Sequence, residues 1–196
     1  MKKLVILGCG GHGRTVAEVA VMNGYSDIVF LDDNAPEAAG KTSDYRNYLS
    51  DHDFFIAIGS AIIRRQFFEI LSDAGADIVN IIHPSAIISP SAVMGRGCVI
   101  MAGAVLDRDA VLGNGVIVNI NALVGHDSVI GDFTHISAAV AVAGTVRIGE
   151  NNWLGIGTVT TNNITVCDNC YFGAGAVIIG DITEEGTYVG VPVRKL

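Results

Sequence analysis

The chain has 196 residues, of which half are hydrophobic, 16% are charged and 24 are glycine. This composition excludes a disordered chain, and a formal net charge of −8 argues against a nucleic-acid-binding protein, which needs a basic face. No apolar run approaches the roughly 18 residues of a membrane-spanning helix. The first run, residues 4–7, is too short for the core of a secretion signal, so we expect a cytoplasmic protein without a membrane span.

Short apolar runs alternate with helical stretches in residues 1–81. The predicted strands and helices cover, in turn, residues 4–7, 27–31, 53–58 and 77–82 (strands) and residues 14–23 and 61–74 (helices). Strands that alternate with helices predict a small parallel sheet. We therefore expect a Rossmann-like domain in this part of the chain.

A glycine motif follows the first predicted strand. Gly8, Gly10 and Gly13 match G-x-G-x-x-G, and Asp32 and Asp33 end the next strand about 20 residues later. Such glycines let a phosphate approach the N–H groups at the start of a helix. A plain tight turn is the alternative, and the region is about half of a double Rossmann unit. We expect one mononucleotide half that binds a nucleotide-linked ligand.

An aliphatic side chain recurs at every sixth position in residues 82–183. Seventeen such positions run from Ile82 to Ile178, and only Thr160 among them is not apolar. This period matches neither a helix nor a strand pair, and the hairpin turns of a β-sandwich are missing. It fits a triangular prism in which each coil consists of three hexads, one for each side. We predict an α/β domain followed by an all-β hexapeptide β-helix with inward aliphatic residues, and a tail at residues 184–196.

Three side chains stand out in this weakly charged repeat. His126 precedes Asp127, and an imidazole beside a carboxylate is a general-base arrangement. Neighbouring residues of a strand point in opposite directions, which is expected to keep Asp127 from the ring of His126. A solvated surface histidine is the alternative. His135 follows half a coil later, so we expect it to share a site with His126 only across a subunit boundary.

The same histidines raise the possibility of a metal site. His83, His126 and His135 have the number of ligands of a gamma-class carbonic anhydrase, whose fold is a β-helix, but the spacing of nine between the last two differs from that class. Cys167 and Cys170 have C-x-x-C spacing without a second cysteine pair, so we interpret them as core cysteines. We predict no metal site.

The whole chain resembles the bacterial sugar acetyltransferases that join a Rossmann-like domain to a left-handed β-helix, the sialic-acid O-acetyltransferase-like group. Within that group it is similar to the UDP-4-amino-sugar N-acetyltransferases of bacillosamine biosynthesis. The segments that carry the resemblance are residues 10–13, 30–33, 53–59, 129–133 with His126 and His135, and 190–192. The resemblance implies acetyl-CoA as co-substrate, a UDP-linked 4-amino-4,6-dideoxy sugar as acceptor, and a homotrimer with active sites between subunits.

The resemblance also implies roles for individual residues. His126 matches the general base, and Asp127 stands where relatives have a glutamate that raises the basicity of that base. Acetyl-CoA is assigned to His135, Gly144, Ile156 and Ala174. The nucleotide sugar is assigned to Gly11, His12, Gly13, Asp32, Asp33 and Gly59. The tail is expected near coenzyme A, where Arg194 and Lys195 would meet its phosphates unless they are simply solvated.

Two other functions remain open at this point. Related O-acetyltransferases carry similar glycine loops, so a sugar hydroxyl is the alternative acceptor. A non-catalytic β-helix that binds nucleotide sugars is the second alternative, and it predicts no binding of acyl-CoA.

Overall fold

The computed structural model describes residues 2–196 and divides the chain into two compact units, Met1–Pro84 and Ser85–Leu196. The first unit contains a three-stranded parallel sheet in the order β2-β1-β3. Its elements are, in chain order, β1 (Lys2–Leu7), α1 (Gly11–Met22), β2 (Tyr25–Leu31), a 3₁₀ helix (Thr42–Tyr48), β3 (Asp53–Ile56), α2 (Ala61–Asp73) and β4 (Ile81–Ile82). The small parallel sheet predicted from the sequence is confirmed.

The central strand explains why this sheet forms. Residues 4–7 of β1 pair with both neighbours, and all four side chains are fully buried. A strand buried on both faces reads as a continuous apolar run, as this one does. Neither of the two α-helices, with 12 and 13 residues, is long and apolar enough to cross a membrane; this holds for the described residues 2–196.

The first three strands differ from the predicted bounds by two residues at one end, and two further differences are larger. Helix α1 begins at Gly11, three residues before the predicted start, because the glycine turn itself forms its first turn. The strand predicted over residues 77–82 is wrong for most of its length. Residues 77–79 form a single bridge with β3, through Phe54 N–H to the Asp77 carbonyl (2.8 Å) and Val79 N–H to the Phe54 carbonyl (3.0 Å), and only β4 follows.

The second unit is a left-handed parallel β-helix with three flat faces. Strands that are three hexads apart in the sequence pair in parallel, as between Ile117 and His135, which confirms the predicted coil length. The first face consists of Val99–Ile100, Ile117–Val118, His135–Ile136, Trp153–Leu154, Cys170–Phe172, Gly186–Val189 and Arg194–Lys195. The second face consists of Ile87–Ile88, Val105–Leu106, Leu123–Val124, Ala141–Val142, Val159–Thr160 and Val177–Ile178. The third face consists of Val93–Met94, Val111–Leu112, Val129–Ile130, Arg147–Ile148 and Thr165–Val166.

The six-residue period appears in the structure as alternating strands and corners. From Ile100 to Ile178 every predicted inward residue is at most 2% exposed, except the half-buried Thr160. At the corners, a residue with positive φ recurs every six positions from residue 97 to residue 175. Glycine, asparagine and aspartate fill most of these positions, because they tolerate the left-handed conformation best.

The end of the chain folds back on the β-helix. Strand Arg194–Lys195 pairs antiparallel with Gly186–Val189. Lys195 Nζ lies 3.0 Å from a carboxylate oxygen of Glu184, and this contact raises the pKa of Lys195. The ammonium group that was expected to be available for coenzyme A phosphates therefore has a carboxylate partner within its own chain.

Candidate active site

His126 lies at the corner between the second and third faces, two residues after the strand Leu123–Val124. Asp127 occupies the left-handed corner position, with φ of 59°. Because the backbone turns between these residues, their side chains meet: His126 Nδ1 lies 2.7 Å from Asp127 Oδ2. The expectation that Asp127 cannot reach its neighbour's ring is wrong, because it treated the two residues as part of an extended strand.

The hydrogen bond defines which ring nitrogen is available. Nδ1 donates to the carboxylate, so the neutral His126 ring carries its lone pair on Nε2. The hydrogen bond from His126, together with the positive charge of Arg108, holds the pKa of Asp127 below its ordinary value, although partial desolvation acts in the opposite direction. Arg108 Nη2 lies 2.9 Å from the same carboxylate oxygen. About half of the His126 side chain is exposed, so a ligand can reach its ring.

Gly144 lies one coil beyond His126 and leaves space for its ring. A Cβ atom at Gly144 would collide with Nε2 and two ring carbons of His126. Within residues 2–196, the Gly144 N–H donates no hydrogen bond. The corner thus offers a basic nitrogen and an available N–H donor next to each other.

His135 lies elsewhere on the coil, on the first face. It is 8% exposed, and its ring packs against Trp153 with centroids 4.2 Å apart. Trp153 in turn stacks on Tyr171 at 5.9 Å. The structure therefore does not bring His135 and His126 together within one chain. Sequence reasoning missed the aromatic column, although its members occupy the same outward position of three successive coils.

Ile156 and Ala174 occupy the corner between the first and second faces. They are one coil apart and both are exposed. The Ile156 carbonyl accepts a hydrogen bond from Gly175 N–H at 2.8 Å, so its backbone is held by the ladder. The predicted acetyl-CoA residues thus occupy two corners and one face of the β-helix.

The glycine motif of the first unit has the geometry of an anion site. Gly8 has φ of +105°, which forms the tight turn, and a Cβ at Gly13 would collide with the Gly8 carbonyl. Gly10 and Gly11 have open space around them. Gly10 caps α1 without a side-chain hydrogen bond, so the first N–H groups of the helix are available to an anion.

The two aspartates fix loops beside this motif. Asp32 accepts hydrogen bonds from the N–H of Cys9 and of Asn34, both at 2.8 Å, and these bonds lower its pKa. Asp33 accepts one from the Thr42 hydroxyl at 2.7 Å. An adjoining pocket of about 440 Å³ is lined by Gly8, Asp32, Asp33, Asn34, Thr42, Ile58, Ile63, Gln66 and Phe67. Ile58 lies in the segment 53–59 that carries the resemblance. Asn34, Thr42, Ile63, Gln66 and Phe67 were missed, because no sequence motif singles them out.

His12 and Gly59 are both linked to a buried arginine. Arg64 is 1% exposed, and its Nη1 donates to the carbonyls of Ile58 (2.7 Å) and Gly59 (2.9 Å). Burial, with a smaller effect of the Arg64 charge, lowers the pKa of His12 to about 4. His12 is therefore neutral near pH 7, and its Nε2 has no hydrogen-bond partner within the described residues.

The cysteine pair and the histidines form no recognisable metal site. The Sγ atoms of Cys167 and Cys170 are 3.6 Å apart, both thiols are free, and burial raises the pKa of Cys170 to about 12. Over residues 2–196, no group of three or more histidine, cysteine, aspartate or glutamate side chains is arranged to hold a metal ion.

Known proteins resemble both units. The family model of the PglD N-terminal domain matches residues 3–71, and that of the bacterial transferase hexapeptide (six repeats) matches residues 145–180. The UDP-N-acetylbacillosamine N-acetyltransferase of Bacillus subtilis (strain 168) is 37% identical over 115 residues. That alignment covers 52% of this chain and 52% of the relative, so it spans about half the length of the curated relative.

Solved structures match over the whole chain. The acetyltransferase domain of PglB from Neisseria gonorrhoeae FA1090 is 41% identical, with a TM-score of 0.96 and 100% of both chains covered; the same domain has been solved with acetyl coenzyme A. PerB from Caulobacter crescentus, solved with CoA and GDP-perosamine, is 32% identical, with a TM-score of 0.93 and coverage of 100% of this chain and 98% of that one. With this identity over its full length, the chain belongs to the hexapeptide-repeat sugar acetyltransferases that carry a PglD-type N-terminal domain.

Proposed function

We propose that this chain transfers the acetyl group of acetyl-CoA to the 4-amino group of a UDP-linked 4-amino-4,6-dideoxy sugar. The observation that carries the proposal is the hydrogen bond between His126 Nδ1 and Asp127, which leaves Nε2 as a base beside the Gly144 N–H. The relatives support the class of reaction, since one is named a UDP-sugar N-acetyltransferase and others were solved with CoA and an amino sugar nucleotide.

In the proposed reaction the amine nitrogen attacks the thioester carbonyl and forms the new C–N bond. His126 Nε2 accepts the amine proton, and Asp127 stabilises the imidazolium that results. The Gly144 N–H stabilises the negative charge on the carbonyl oxygen of the tetrahedral intermediate. Collapse of the intermediate breaks the C–S bond, and the leaving thiolate of CoA takes the proton from His126. We propose direct attack, because a covalent route needs a Ser or Cys side chain on the base, and none in residues 2–196 bonds the His126 ring.

We propose that each of the three parts of the chain has a different role toward the two substrates. Residues 1–81 bind the nucleotide, with its phosphates at the N–H groups of Gly11, His12 and Gly13 and the remainder near Asp32, Asp33 and Gly59. Residues 82–183 perform the transfer. His135, Ile156 and Ala174 then contact the coenzyme, with residues 184–196 nearby. Acetyl-CoA is made and used inside cells, which is the reason for proposing a cytoplasmic location.

We further propose a homotrimer with its active sites between subunits. The outward side chains of the second face are all aliphatic: Ile87, Val105, Leu123, Ala141, Val159 and Val177. Three of them are at least 36% exposed, and a continuous apolar stripe of this kind favours a protein partner. This face lies between the corner of His126 and the corner of Ile156 and Ala174. A second copy packed here would border both sets of residues at once.

The test is the release of CoA from acetyl-CoA in the presence of a UDP-linked 4-amino-4,6-dideoxy sugar. His126→Ala is expected to lower kcat by about 10²-fold or more, as for the loss of a general base. His52→Asn is the matched control, because His52 Nδ1 also lies 2.7 Å from an aspartate, Asp51, and neither residue belongs to the proposed catalytic pair. Near-full kcat in a folded His126→Ala variant would falsify the mechanism.

The acceptor is tested with a panel of sugars. UDP-, GDP- and dTDP-linked 4-amino sugars are compared with the UDP sugar that carries a hydroxyl at C4. We expect the highest kcat/KM with the UDP amino sugar. Faster acetylation of the hydroxy sugar would show an O-acetyltransferase instead. A titration that detects no binding of CoA would favour a non-catalytic protein that binds nucleotide sugars.

A further inference from the structure

Thr160 is the one inward position of the repeat that is not apolar, and it lies one coil beyond Val142. Its neighbours in the same column, Val142 and Ile178, are fully buried, whereas Thr160 is half-buried. A hydroxyl at a core position costs free energy unless it makes a hydrogen bond. The structure shows such a bond: Thr160 Oγ1 accepts the N–H of Ala143 at 2.9 Å.

This bond replaces a rung of the β-ladder. At the equivalent positions of the second face, the N–H of the residue after the strand donates to a backbone carbonyl one coil on: Asp107 to Val124 at 3.0 Å and Gly125 to Val142 at 2.9 Å. At Ala143 the side-chain oxygen of Thr160 takes that place. Consistent with this, Ala141 pairs with Val159 but Val142 has no pairing with Thr160, while the adjoining pairs on this face are complete.

The interrupted rung adjoins the proposed site. Ala143 is bonded covalently to Gly144, whose backbone lies under the Nε2 edge of His126 and whose N–H has no acceptor within residues 2–196. The position of the peptide before Gly144 fixes the direction of that N–H. The change from a carbonyl acceptor to a hydroxyl acceptor therefore changes what holds the backbone at the point where the oxyanion donor is proposed.

We propose that Thr160 is a positioning residue: its hydroxyl holds the Ala143 N–H and thereby sets the Gly144 N–H toward the reacting carbonyl. The inference deepens the proposed function and rests on it, because it assumes that Gly144 faces the thioester. Within residues 2–196, the Thr160 hydroxyl bonds the Ala143 N–H, and the His126 ring bonds Asp127. Its role explains why a regular aliphatic repeat departs from its pattern at this one position.

The test compares Thr160→Val, which keeps the shape and removes the hydroxyl, with Thr160→Ser, which keeps the hydroxyl. Because an oxyanion donor acts on the transition state, we expect T160V to lower kcat about 10-fold or more with KM for both substrates nearly unchanged. T160S is expected to stay within about 3-fold of the wild type. The Tm of T160V is expected to fall by no more than the loss of one hydrogen bond explains, so the variant can be compared in its folded form.

A crystal structure of T160V supplies a readout that needs no activity. We expect the Ala143 N–H to bond the backbone carbonyl of position 160, as in the regular coils. An unchanged backbone at residues 143–144, a wild-type kcat in T160V, or equal losses in T160V and T160S would each overturn the inference. If His126→Ala keeps full activity, the proposed function itself fails; if His126→Ala is inactive and T160V is fully active, only the role of Thr160 fails.

Discussion

Two adjacent side chains, His126 and Asp127, form a pair because the backbone between them turns. Their identities were predicted from the sequence, but their contact was not, since they were treated as strand residues. The left-handed positions recur every six residues and include residues 121, 127 and 133. Counting this second period beside the aliphatic one would have placed Asp127 at a corner. The carboxylate of Asp127 therefore reaches the ring through the backbone conformation at the corner.

A second single residue, His12, is expected to make the free energy of unfolding depend on pH, because its ionisation opposes folding at low pH. Its pKa is about 4 in the folded chain against 6.5 for the ordinary group, so the unfolded chain takes up the proton first as pH falls. The free energy of unfolding is therefore expected to fall between about pH 6.5 and pH 4 and to lose no more from this group below that range. The loss attributable to His12 is about 3 kcal/mol.

Urea unfolding of the wild type and of His12→Gln across this pH range measures the effect. The glutamine variant does not titrate, so the difference in unfolding free energy between the two proteins should change in favour of the variant as pH falls. A difference that stays constant from pH 6.5 to 4 would contradict the lowered pKa.

At the scale of the element, equivalent corners of successive coils form a column along the β-helix. One column contains Arg108, His126, Gly144, Asn162 and Gly180, each one coil after the last. Arg108 contacts the Asp127 carboxylate from one side, and Gly144 leaves room for the His126 ring on the other. The site is therefore assembled by stacking coils, and residues distant in sequence become neighbours through the repeat.

This column supplies a matched pair of variants. Gly144→Ala places a methyl group where the His126 ring lies, so we expect kcat/KM to fall about 10-fold or more while the β-helix stays folded. Gly180→Ala changes the same residue type two coils on, in open space, and is expected to keep wild-type activity. Equal activities of the two variants in the CoA-release assay would show that the ring does not need the space at Gly144.

The elements differ in how far the sequence could define them. The hexad period predicted the coil length and the inward residues. Each coil repeats the same packing, so the unbroken six-residue register assigns every inward position. The 3₁₀ helix Thr42–Tyr48 was missed, because an irregular loop leaves no period to count. Gln66 and Phe67 lie on the predicted helix α2, but a helical pattern does not show which of its residues line a pocket. The prediction of a strand over residues 77–82 was wrong for most of its length. An apolar run indicates that a segment is buried, but it does not show whether a neighbouring strand pairs with it.

For the whole molecule, the question is how a solenoid with one open apolar stripe behaves in solution. Val159 and Val111 are outward valines of nearly equal exposure, 36% and 37%, on the second and third faces respectively. Within residues 2–196, the second face alone is aliphatic at all of its outward positions, because His135 interrupts the first face, and Arg147 and Thr165 interrupt the third. A charge placed in a packed apolar interface is strongly unfavourable, whereas on a solvated face it has little effect.

Val159→Glu is therefore expected to convert the proposed trimer to monomers and to lower acetyl transfer with it, whereas Val111→Glu should preserve both mass and activity. Light scattering after size exclusion measures the mass, and the CoA-release assay measures the activity. Loss of trimer in both variants would mean that the third face also packs against a neighbour. A monomeric Val159→Glu protein with full activity would show instead that one chain brings His126 together with His135, Ile156 and Ala174, against their separation on the coil.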